Sequence, residues 1–375
     1  MHFTTNKDKL LNQLLILQKA LPSKAPYPIF NAIKIEVEAD YIIFTTSDSD
    51  VSIQIIYTDP TLKIDKVGKI AISGKYFIDI IRKIEALNVT VSLIDDKLVH
   101  IQAGRSNFKL VLMDVEDYPQ IDFLEENNPI NIDSSILKDI IRKTSFAAAT
   151  NEKRPILTGV NFKFSNQKLI TTATDSYRLA QKTIIYKNET QDFNIVVPSK
   201  NLDELIKIID HSDEISIYIS SFKILFKINN IYYQTRLLDG TYPDTQRVIP
   251  VEFPVIIPFN KEDLLGALER VSLLSPKDVN QSLNIIKMHL KIDGNVDISS
   301  NSSEIGDAKE EVNPNGDVIG KNLSIAFSAR YLMDSLKSFH TNNILLCFAG
   351  DVRPFVLKAP TESDLLHLIL PVRID

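Results

Sequence analysis

One stretch of the sequence has the residue types that could bind a phosphate group. GKIAISGKY, which begins at Gly68, resembles a phosphate-binding loop, in which four residues separate a glycine from Gly-Lys and a Ser or Thr follows. Here five residues separate Gly68 from Gly74, and Tyr76 follows Lys75. Because both the spacing and the last residue differ, the pattern favours a strand that runs into a helix. The chain has only 11 glycines, which further disfavours a nucleotide-binding loop.

Metal binding and thiol chemistry have few candidate residues. The six histidines never occur at the i, i+4 spacing of a zinc-binding helix, and Cys347 is the single cysteine. We therefore expect no metal site and no internal disulfide. A single cysteine is also consistent with a reducing cytoplasm.

Three aspartates could form a carboxylate cluster, namely Asp48, Asp50 and Asp175. Asp48 and Asp175 lie at equivalent places in two similar segments, TTSDSD and TATDSY, where aspartate is an ordinary turn residue. We therefore interpret them as turn residues and expect no catalytic site and no cofactor. A carboxylate-dependent nuclease remains the enzymatic alternative, and it would be supported if substitutions at Asp48 and Asp175 abolished cleavage with a divalent metal.

Length and composition limit the class of protein. With 375 residues the chain is too long for one hydrophobic core, and with 44% hydrophobic residues it is globular. No apolar run approaches the roughly 20 residues of a membrane span, so we expect a soluble, cytoplasmic protein without membrane contact. A net charge of −6 argues against a protein whose whole surface coats nucleic acid.

The positions of similar segments indicate an internal repeat. PIFNAIKIEV, from Pro28, and PILTGVNFKF, from Pro155, lie 127 residues apart, which is also the offset of the two aspartate segments. SGKYFIDIIRK recurs as PSKNLDELIK and SARYLMDSLK. The sequence therefore predicts three copies of a unit of about 125 residues, as domains over 1–125, 128–252 and 254–375.

Each repeat is predicted to contain two helices and two sets of short strands. Apolar residues recur at helical spacing over 6–21, 134–149 and 261–274, and again from Ser73, Ser199 and Ala329. The segments between them alternate apolar and polar residues, as in IKIEVEA at Ile33. The pattern predicts βαβββ twice per repeat, an α+β fold with helices on one face of antiparallel sheets.

Charge is distributed unevenly between the predicted elements. The six helical segments sum to +6, which leaves −12 for the rest of the chain. Helices of opposite charge to their protein suggest a surface that faces a polyanion, although six charges over so many residues are also compatible with chance.

Four motifs give the chain a specific resemblance. RPILTGV (from Arg154), TATDSYRLA (from Thr172), RLLDGTYPDTQRVIP (from Arg236) and the terminal LPVRID resemble the β sliding clamp family of bacterial DNA polymerase III. The resemblance extends over the whole length and the three-repeat layout. It differs at Ser176, where glycine is common, and at Tyr177, where histidine is frequent.

The resemblance implies a protein without catalytic activity of its own that tethers other proteins to DNA. The expected assembly is a head-to-tail homodimer of three-domain subunits, each forming half of a six-domain ring around double-stranded DNA, bound without sequence preference. The expected partners are the replicative polymerase catalytic subunit, the clamp loader and other proteins with a clamp-binding motif. A non-DNA repeat scaffold is a further alternative, favoured if the protein failed to stay on circular DNA after loading.

Three sets of residues are expected from the resemblance, and the pocket set also from the departures between repeats. Plain core is the alternative for Leu179 and Leu368, and solvated surface charge is the alternative for each DNA-facing residue. The partner-peptide pocket is expected to contain Thr174, Tyr177, Arg178, Leu179, Pro243, Arg247, Val248, Tyr331, Pro354, Leu368, Leu370, Pro371 and Val372. The DNA-facing residues are expected to be Lys24, Arg82, Asn151, Arg154, Lys200 and Lys337. The dimer interface is expected to contain Phe108, Leu110, Leu273 and Leu274.

Overall fold

The fold is described from a computed structural model of the chain. The structure describes residues 1–373 except Ser23, Pro26, Asp96, Glu152, 188–190, 211–213, 276–283 and Ser303. This range forms two compact units. The first unit contains Met1–Leu137 with Glu204–Leu237, and the second contains Lys138–Asp203 with Leu238–Asp375.

Six α-helices occur in the described residues, at the places where the apolar spacing predicts them. They are α1 (Lys7–Leu17), α2 (Gly74–Lys83), α3 (Ser134–Thr144), α4 (Ser199–Leu205), α5 (Lys261–Val271) and α6 (Ala329–Ser338). The predicted ranges of α1, α3 and α5 were too long, because a 3-10 turn follows each of these helices, at Gln18–Ala20, Ser145–Ala147 and Ser272–Leu274.

The first helix of each repeat begins after the same kind of residue. Asn6 precedes α1, and its side chain accepts hydrogen bonds from Asp8 N and Lys9 N. Asn260 precedes α5, and its side chain accepts hydrogen bonds from Glu262 N and Asp263 N, the equivalent positions of that helix. Asp133 precedes α3 and accepts a bond from Ser135 N at 2.7 Å. Such caps satisfy amide groups that have no partner within the helix, so the 127-residue repeat is visible even in the helix starts.

The strands of the described residues are short and run antiparallel. The first repeat contains β1 (His2–Asn6), β2 (Ala32–Val37), β3 (Ile42–Ser47), β4 (Val51–Tyr57), β5 (Lys63–Lys66), β6 (Gly68–Ser73), β7 (Asn88–Asp95), β8 (Leu98–Ala103) and β9 (Ser106–Met113). The second contains β10 (Ile130–Asp133), β11 (Gly159–Ser165), β12 (Lys168–Thr174), β13 (Arg178–Ile185), β14 (Phe193–Pro198), β15 (Glu214–Ile219), β16 (Lys223–Ile228) and β17 (Ile231–Arg236). The third contains β18 (Val255–Asn260), β19 (Ile285–Leu290), β20 (Val296–Ser302), β21 (Gly306–Val312), β22 (Ser324–Ser328), β23 (Asn343–Phe348), β24 (Phe355–Lys358) and β25 (Leu365–Ile369).

The order of these elements confirms the predicted repeat pattern. In the second and third repeats a strand, a helix and three strands occur twice in succession. The first repeat has the same order with one additional strand, β5, which pairs with β1. The α+β interpretation is therefore correct for all three repeats.

The first compact unit contains one sheet of thirteen strands. Their order is β10-β15-β16-β17-β4-β3-β2-β6-β9-β8-β7-β1-β5. Alternation places apolar side chains on one face. In β2, Ile33, Ile35 and Val37 are buried, whereas Lys34 and Glu36 are partly exposed, as the sequence predicts.

The second compact unit contains two sheets. An eight-stranded sheet has the order β14-β11-β12-β13-β25-β24-β23-β18, and a four-stranded sheet has the order β21-β20-β19-β22. Helices α5 and α6 pack on one large hydrophobic core that is formed by both sheets. Phe327, Phe348 and Phe355 belong to this core. Strand β13 pairs with β25, and this pair forms the floor of the cavity described below.

The segments that could have supported chemistry are structural elements. GKIAISGKY forms β6 and the start of α2, as predicted. Asp48 Oδ1 accepts hydrogen bonds from Asp50 N and Val51 N, and Asp175 Oδ1 accepts bonds from Tyr177 N and Arg178 N. Both aspartates therefore close equivalent turns, and this confirms their interpretation as turn residues.

Candidate functional site

An apolar cavity of about 430 Å³ lies in the second compact unit. A volume of this size can hold a few side chains of a bound segment. The lining residues come from the loop before β11, the turn between β12 and β13, the loop after β17 and the end of β25. They are Arg154, Ile156, Leu157, Thr174, Ser176, Arg178, Leu179, Thr241, Pro243, Asp244, Thr245, Val248, Leu368 and Leu370.

The floor of the cavity is a cross-strand pair of leucines. Leu179 in β13 lies directly opposite Leu368 in β25, and both side chains are almost completely buried. They form an apolar cluster with Cys347 and Val356. Leu370 follows the last residue of β25, and its backbone N donates a 2.9 Å hydrogen bond to Tyr177 O. The leucines are thus fixed by backbone pairing before any partner binds.

The loop that follows β17 forms one wall. Tyr242 anchors it by packing with Leu157 and Val196, and burial raises the pKa of its phenol well above the usual range. Asp244 accepts a hydrogen bond from Gln246 N and pairs with Arg247 at 3.2 Å. Val248, at the end of a 3-10 turn, is half exposed. The loop is held by internal contacts, which lowers the entropy lost when a partner binds.

The turn between β12 and β13 forms another wall. Thr174 Oγ1 donates a hydrogen bond of 2.5 Å to Arg178 O and accepts one from Ser176 N. Ser176 has a φ of 79°, in the region that favours glycine. Ser49, at the equivalent position of the first repeat, has a φ of 82°. Serine is therefore compatible with this turn in both repeats.

The guanidinium of Arg178 is bonded inside the protein. Its Nε lies 3.0 Å from Asp175 Oδ2, its Nη1 lies 2.7 Å from Asp334 Oδ2, and its Nη2 donates to Phe146 O at 2.6 Å. It also lies 4.5 Å from the ring centre of Tyr331. Burial, with the Asp175 carboxylate second, raises the pKa of Tyr331 to about 12, so this phenol stays neutral.

The structure brings together seven of the thirteen residues proposed for the pocket. Those that line the cavity are Thr174, Arg178, Leu179, Pro243, Val248, Leu368 and Leu370. The other six lie outside its lining, in three kinds of position. Tyr177 and Arg247 are next to lining residues in the chain, and Tyr331 lies beneath the guanidinium of Arg178.

The remaining three lie near the ends of β24 and β25. Pro354 immediately precedes β24. Pro371 and Val372 follow the end of β25, and Val372 N donates a 2.7 Å hydrogen bond to Ala326 O in β22. Both residues are half buried.

Sequence reasoning did not select several of the lining residues. These are Ile156, Leu157, Ser176, Thr241, Asp244 and Thr245, together with Arg154, which was assigned to the DNA-facing set. All of them lie within the motifs that carry the family resemblance. The available signal was therefore the whole of RPILTGV, TATDSYRLA and RLLDGTYPDTQRVIP, of which only part was used.

The equivalent place in the first repeat has a different chemical character. In the first compact unit, Ser52 in β4 lies opposite Gln234 in β17. This pair is equivalent to the pair of Leu179 and Leu368 in the second unit. Ser52 is buried and bonded to Ser47 at 2.9 Å. The repeat thus presents a polar pair at one place and an apolar pair at the other.

The residues proposed to face DNA all have exposed side chains. They are Lys24, Arg82, Asn151, Arg154, Lys200 and Lys337. Arg82 pairs with Asp79 at 3.1 Å, and Lys337 pairs with Glu269 at 3.4 Å. Within the described ranges, no carboxylate pairs with Lys24, Arg154 or Lys200, so these three cations are available to an external anion.

The residues proposed for a dimer interface lie in one strand and in one 3-10 turn. Phe108 and Leu110 lie in β9, which pairs with β8 along its length but with β6 only at Leu112 and Met113. Leu273 is 77% exposed and Leu274 is partly buried, in the 3-10 turn after α5.

The described part of the chain offers little for catalysis. In that part, no group of three or more His, Cys, Asp or Glu residues is arranged to hold a metal ion. Cys347 is buried, and burial raises the pKa of its thiol. His367 is completely buried, and burial lowers its pKa to about 3. Neither side chain is arranged as an accessible nucleophile or base.

The helices of the described residues are all too short or too polar to cross a lipid bilayer.

Comparison with known proteins identifies the family. Three domain families of the DNA polymerase III beta subunit match the chain, the N-terminal domain at residues 1–122, the central domain at 131–244 and the C-terminal domain at 246–373. The chain belongs to the DNA polymerase III beta subunit family. Its three repeats are therefore three clamp domains, each with helices on antiparallel sheets.

Similar proteins of this beta subunit family match over their whole length. The beta sliding clamp of Staphylococcus epidermidis is 38% identical over 100% of this chain and 99% of the relative, and that of Bacillus subtilis is 37% identical over 100% of both. The crystal structure of the Bacillus subtilis DNA polymerase sliding clamp has 36% sequence identity, covers 100% of both chains and superposes with a TM-score of 0.95. The chain is thus a sliding clamp of DNA polymerase III.

Proposed function

We propose that this chain forms a head-to-tail homodimeric ring that encircles duplex DNA and tethers the replicative polymerase through the cavity of the second compact unit. The apolar cavity built on Leu179 and Leu368 is the observation that carries the proposal. The equivalent place of the first repeat has no comparable apolar pair, because Ser52 faces Gln234 there. One partner site per chain is therefore proposed, built into the second repeat.

Two open sheet edges support ring closure. Along Ser106–Leu110, β9 has no strand partner on the side away from β8 among the described residues. Strand β21 is likewise the outer strand of its four-stranded sheet. Unpaired edges invite pairing with another chain, and a head-to-tail dimer would join β9 of one subunit to β21 of the other at both seams.

Apolar side chains lie beside both edges. Val111 in β9 is 71% exposed, and Leu273, next to β21, is 77% exposed. Large exposed aliphatic residues at an open strand edge are costly unless a partner covers them. We therefore place Phe108, Leu110, Leu273 and Leu274 in the proposed seam.

Helices and loops together supply the proposed DNA-facing surface, with Arg82, Lys200 and Lys337 in α2, α4 and α6, and Lys24, Asn151 and Arg154 in loops. Six domains with two helices each, at about 9 Å spacing, give a ring of roughly 110 Å circumference and a bore of about 24 Å, wide enough for a hydrated duplex. Lys24, Arg82, Asn151, Arg154, Lys200 and Lys337 are the residues we propose for this surface. Such charges would contact phosphates without reading bases, and the ring could then slide along DNA of any sequence.

The cavity is suited to a short extended segment of a partner protein. Rigid apolar walls with polar groups at the rim are typical of peptide-binding grooves, in which a few buried anchors supply most of the affinity. The polymerase catalytic subunit, the clamp loader and other proteins with a clamp-binding motif would compete for it. In this proposal the chain is a cytoplasmic processivity factor that needs no catalytic group or cofactor, with domains over 1–125, 128–252 and 254–375.

The pocket assignment can be tested with two valines of the same loop. Val248 lines the cavity and is 50% exposed, whereas Val251 is 91% exposed and does not line it. Val248→Asp should lower the affinity for a polymerase-derived peptide at least about tenfold, because a carboxylate would replace an apolar contact. Val251→Asp should leave it unchanged. Equal binding by both variants would show that the partner binds elsewhere.

A further inference from the structure

Arg178 is an unusual residue for the wall of a binding pocket. Its side chain is only 7% exposed, and three of its N–H groups bond to Asp175, Asp334 and Phe146 O. The guanidinium also lies near two aromatic rings, 5.4 Å from Phe146 and 4.5 Å from Tyr331. A cation in this environment has exchanged its water for internal partners and is poorly placed to bind a further anion.

The partners of Arg178 lie behind the cavity. Asp334, Tyr331 and Phe146 are absent from the lining, and they belong to α6 and to the 3-10 turn after α3. Arg178 itself begins β13, and the next residue, Leu179, lies in the cavity floor. The hydrogen bond from Thr174 Oγ1 to Arg178 O holds the turn on the other side. Arg178 therefore joins the cavity wall to α6.

We propose that Arg178 is a positioning residue, which fixes the turn and Leu179 through Asp334 and Tyr331 and makes no charge contact with the partner. The inference rests on the proposed function of the cavity. It assigns roles to Asp334 and Tyr331, neither of which lines the cavity. The first repeat has Val51 at the equivalent place, a side chain without a charged group to form such a network.

Arg247 provides a contrast within the same site. Its side chain is 87% exposed, and its ion pair with Asp244 at 3.2 Å is also exposed. Exposed pairs of this kind are weak and easily exchanged. Arg247 is therefore free to contact a carboxylate of a partner, as is the exposed Arg154 of the lining, whereas Arg178 is not.

The test compares four variants in titrations with two fluorescent peptides. One peptide is derived from the polymerase, and the other has its acidic residues replaced by the corresponding amides. Arg178→Met should lower the affinity about tenfold, and Asp334→Asn about threefold. For each variant the loss should be the same with both peptides. Their effect should not change with salt. Arg247→Ala should weaken only the acidic peptide, and less so at high salt.

Lys182→Met is the matched control for loss of a buried charge. Lys182 lies in the same strand, is also 7% exposed, and pairs with Asp364 at 2.7 Å and Asp139 at 3.4 Å, away from the cavity. The Lys182→Met variant and the Arg178→Met variant should both melt at a lower temperature than the wild type. Lys182→Met should nevertheless bind peptide within about twofold of the wild type. If Lys182→Met and Arg178→Met weaken binding equally, the role of Arg178 is stability alone and the inference is wrong.

Other outcomes separate the inference from the function on which it rests. An effect of Arg178→Met that is larger for the acidic peptide would show direct charge contact and overturn the inference. If Arg178→Met does not fold, Asp334→Asn decides, and unchanged affinity in that variant also overturns it. Absence of binding by the wild type to either peptide would instead refute the proposed function of the cavity.

Discussion

The proposed seam makes a strong prediction for Leu273. Its side chain is 77% exposed in the single subunit, so Leu273→Asp should change the free energy of unfolding of the subunit very little. In the ring the same side chain would be covered. Burying one leucine contributes about 1.5–3 kcal/mol, and a closed dimer has two equivalent seams, so the dimer should lose about 3–6 kcal/mol in total.

Burying the new carboxylates would add to that loss. The dimer dissociation constant should therefore rise by at least about a hundredfold. Sedimentation over a dilution series measures it, with the 42.4 kDa of one chain as the monomer reference. Ile185→Asp is the matched control, because Ile185 is 70% exposed and lies outside the proposed seam. A Leu273→Asp protein that stays dimeric at low micromolar concentration, with a normal melt, would refute the seam.

Three further predictions concern the DNA surface, the chain end and a buried histidine. Replacing Lys24, Arg154 and Lys200 together by Glu removes six cations from the dimer, so the steepness of log affinity against log salt should fall by up to about five while the dimer persists, and an unchanged slope would remove these residues from the DNA surface. Deleting Pro371–Asp375 should weaken peptide binding about thirtyfold with little change in the melt, and full affinity would separate the tail from the pocket. Burial lowers the pKa of His367 to about 3 from 6.5, so the unfolded chain binds more protons between these values and stability falls on acidification. Between pH 6.5 and pH 5 the free energy of unfolding should therefore fall by about 2 kcal/mol more in the wild type than in His367→Gln. Equal losses in the two proteins would contradict the lowered pKa of His367.

Repetition made most of the fold predictable from the sequence. Three caps at Asn6, Asp133 and Asn260, and three later helices after Ser73, Pro198 and Ser328, occur at nearly constant spacing. Strand alternation was visible in segments such as Ala32–Val37. The 3-10 turns after α1, α3 and α5 were not visible in the sequence, because their apolar residues continue the helical spacing while the hydrogen-bond pattern changes.

The candidate site was only partly predictable. Leu179 and Leu368 could be selected from motif position, but their direct pairing depends on the register of β13 and β25, which come from different repeats. The internal bonds of Arg178 depend on Asp334, 156 residues away in sequence. Long-range contacts of this kind leave no periodic signal in a single sequence. Arg178 therefore could be placed at the site, but its partners could not be found.

The central claim is topological, and DNA without free ends tests it most directly. The protein would be loaded by a clamp loader onto nicked circular plasmid, separated from unbound protein, and then treated with a restriction enzyme that cuts the plasmid once. A ring held by encirclement should remain on the circle even at a salt concentration that screens phosphate contacts, and it should leave within minutes of linearisation. Equal retention on circular and linear DNA would contradict the account, because binding would then depend on contacts and not on encirclement.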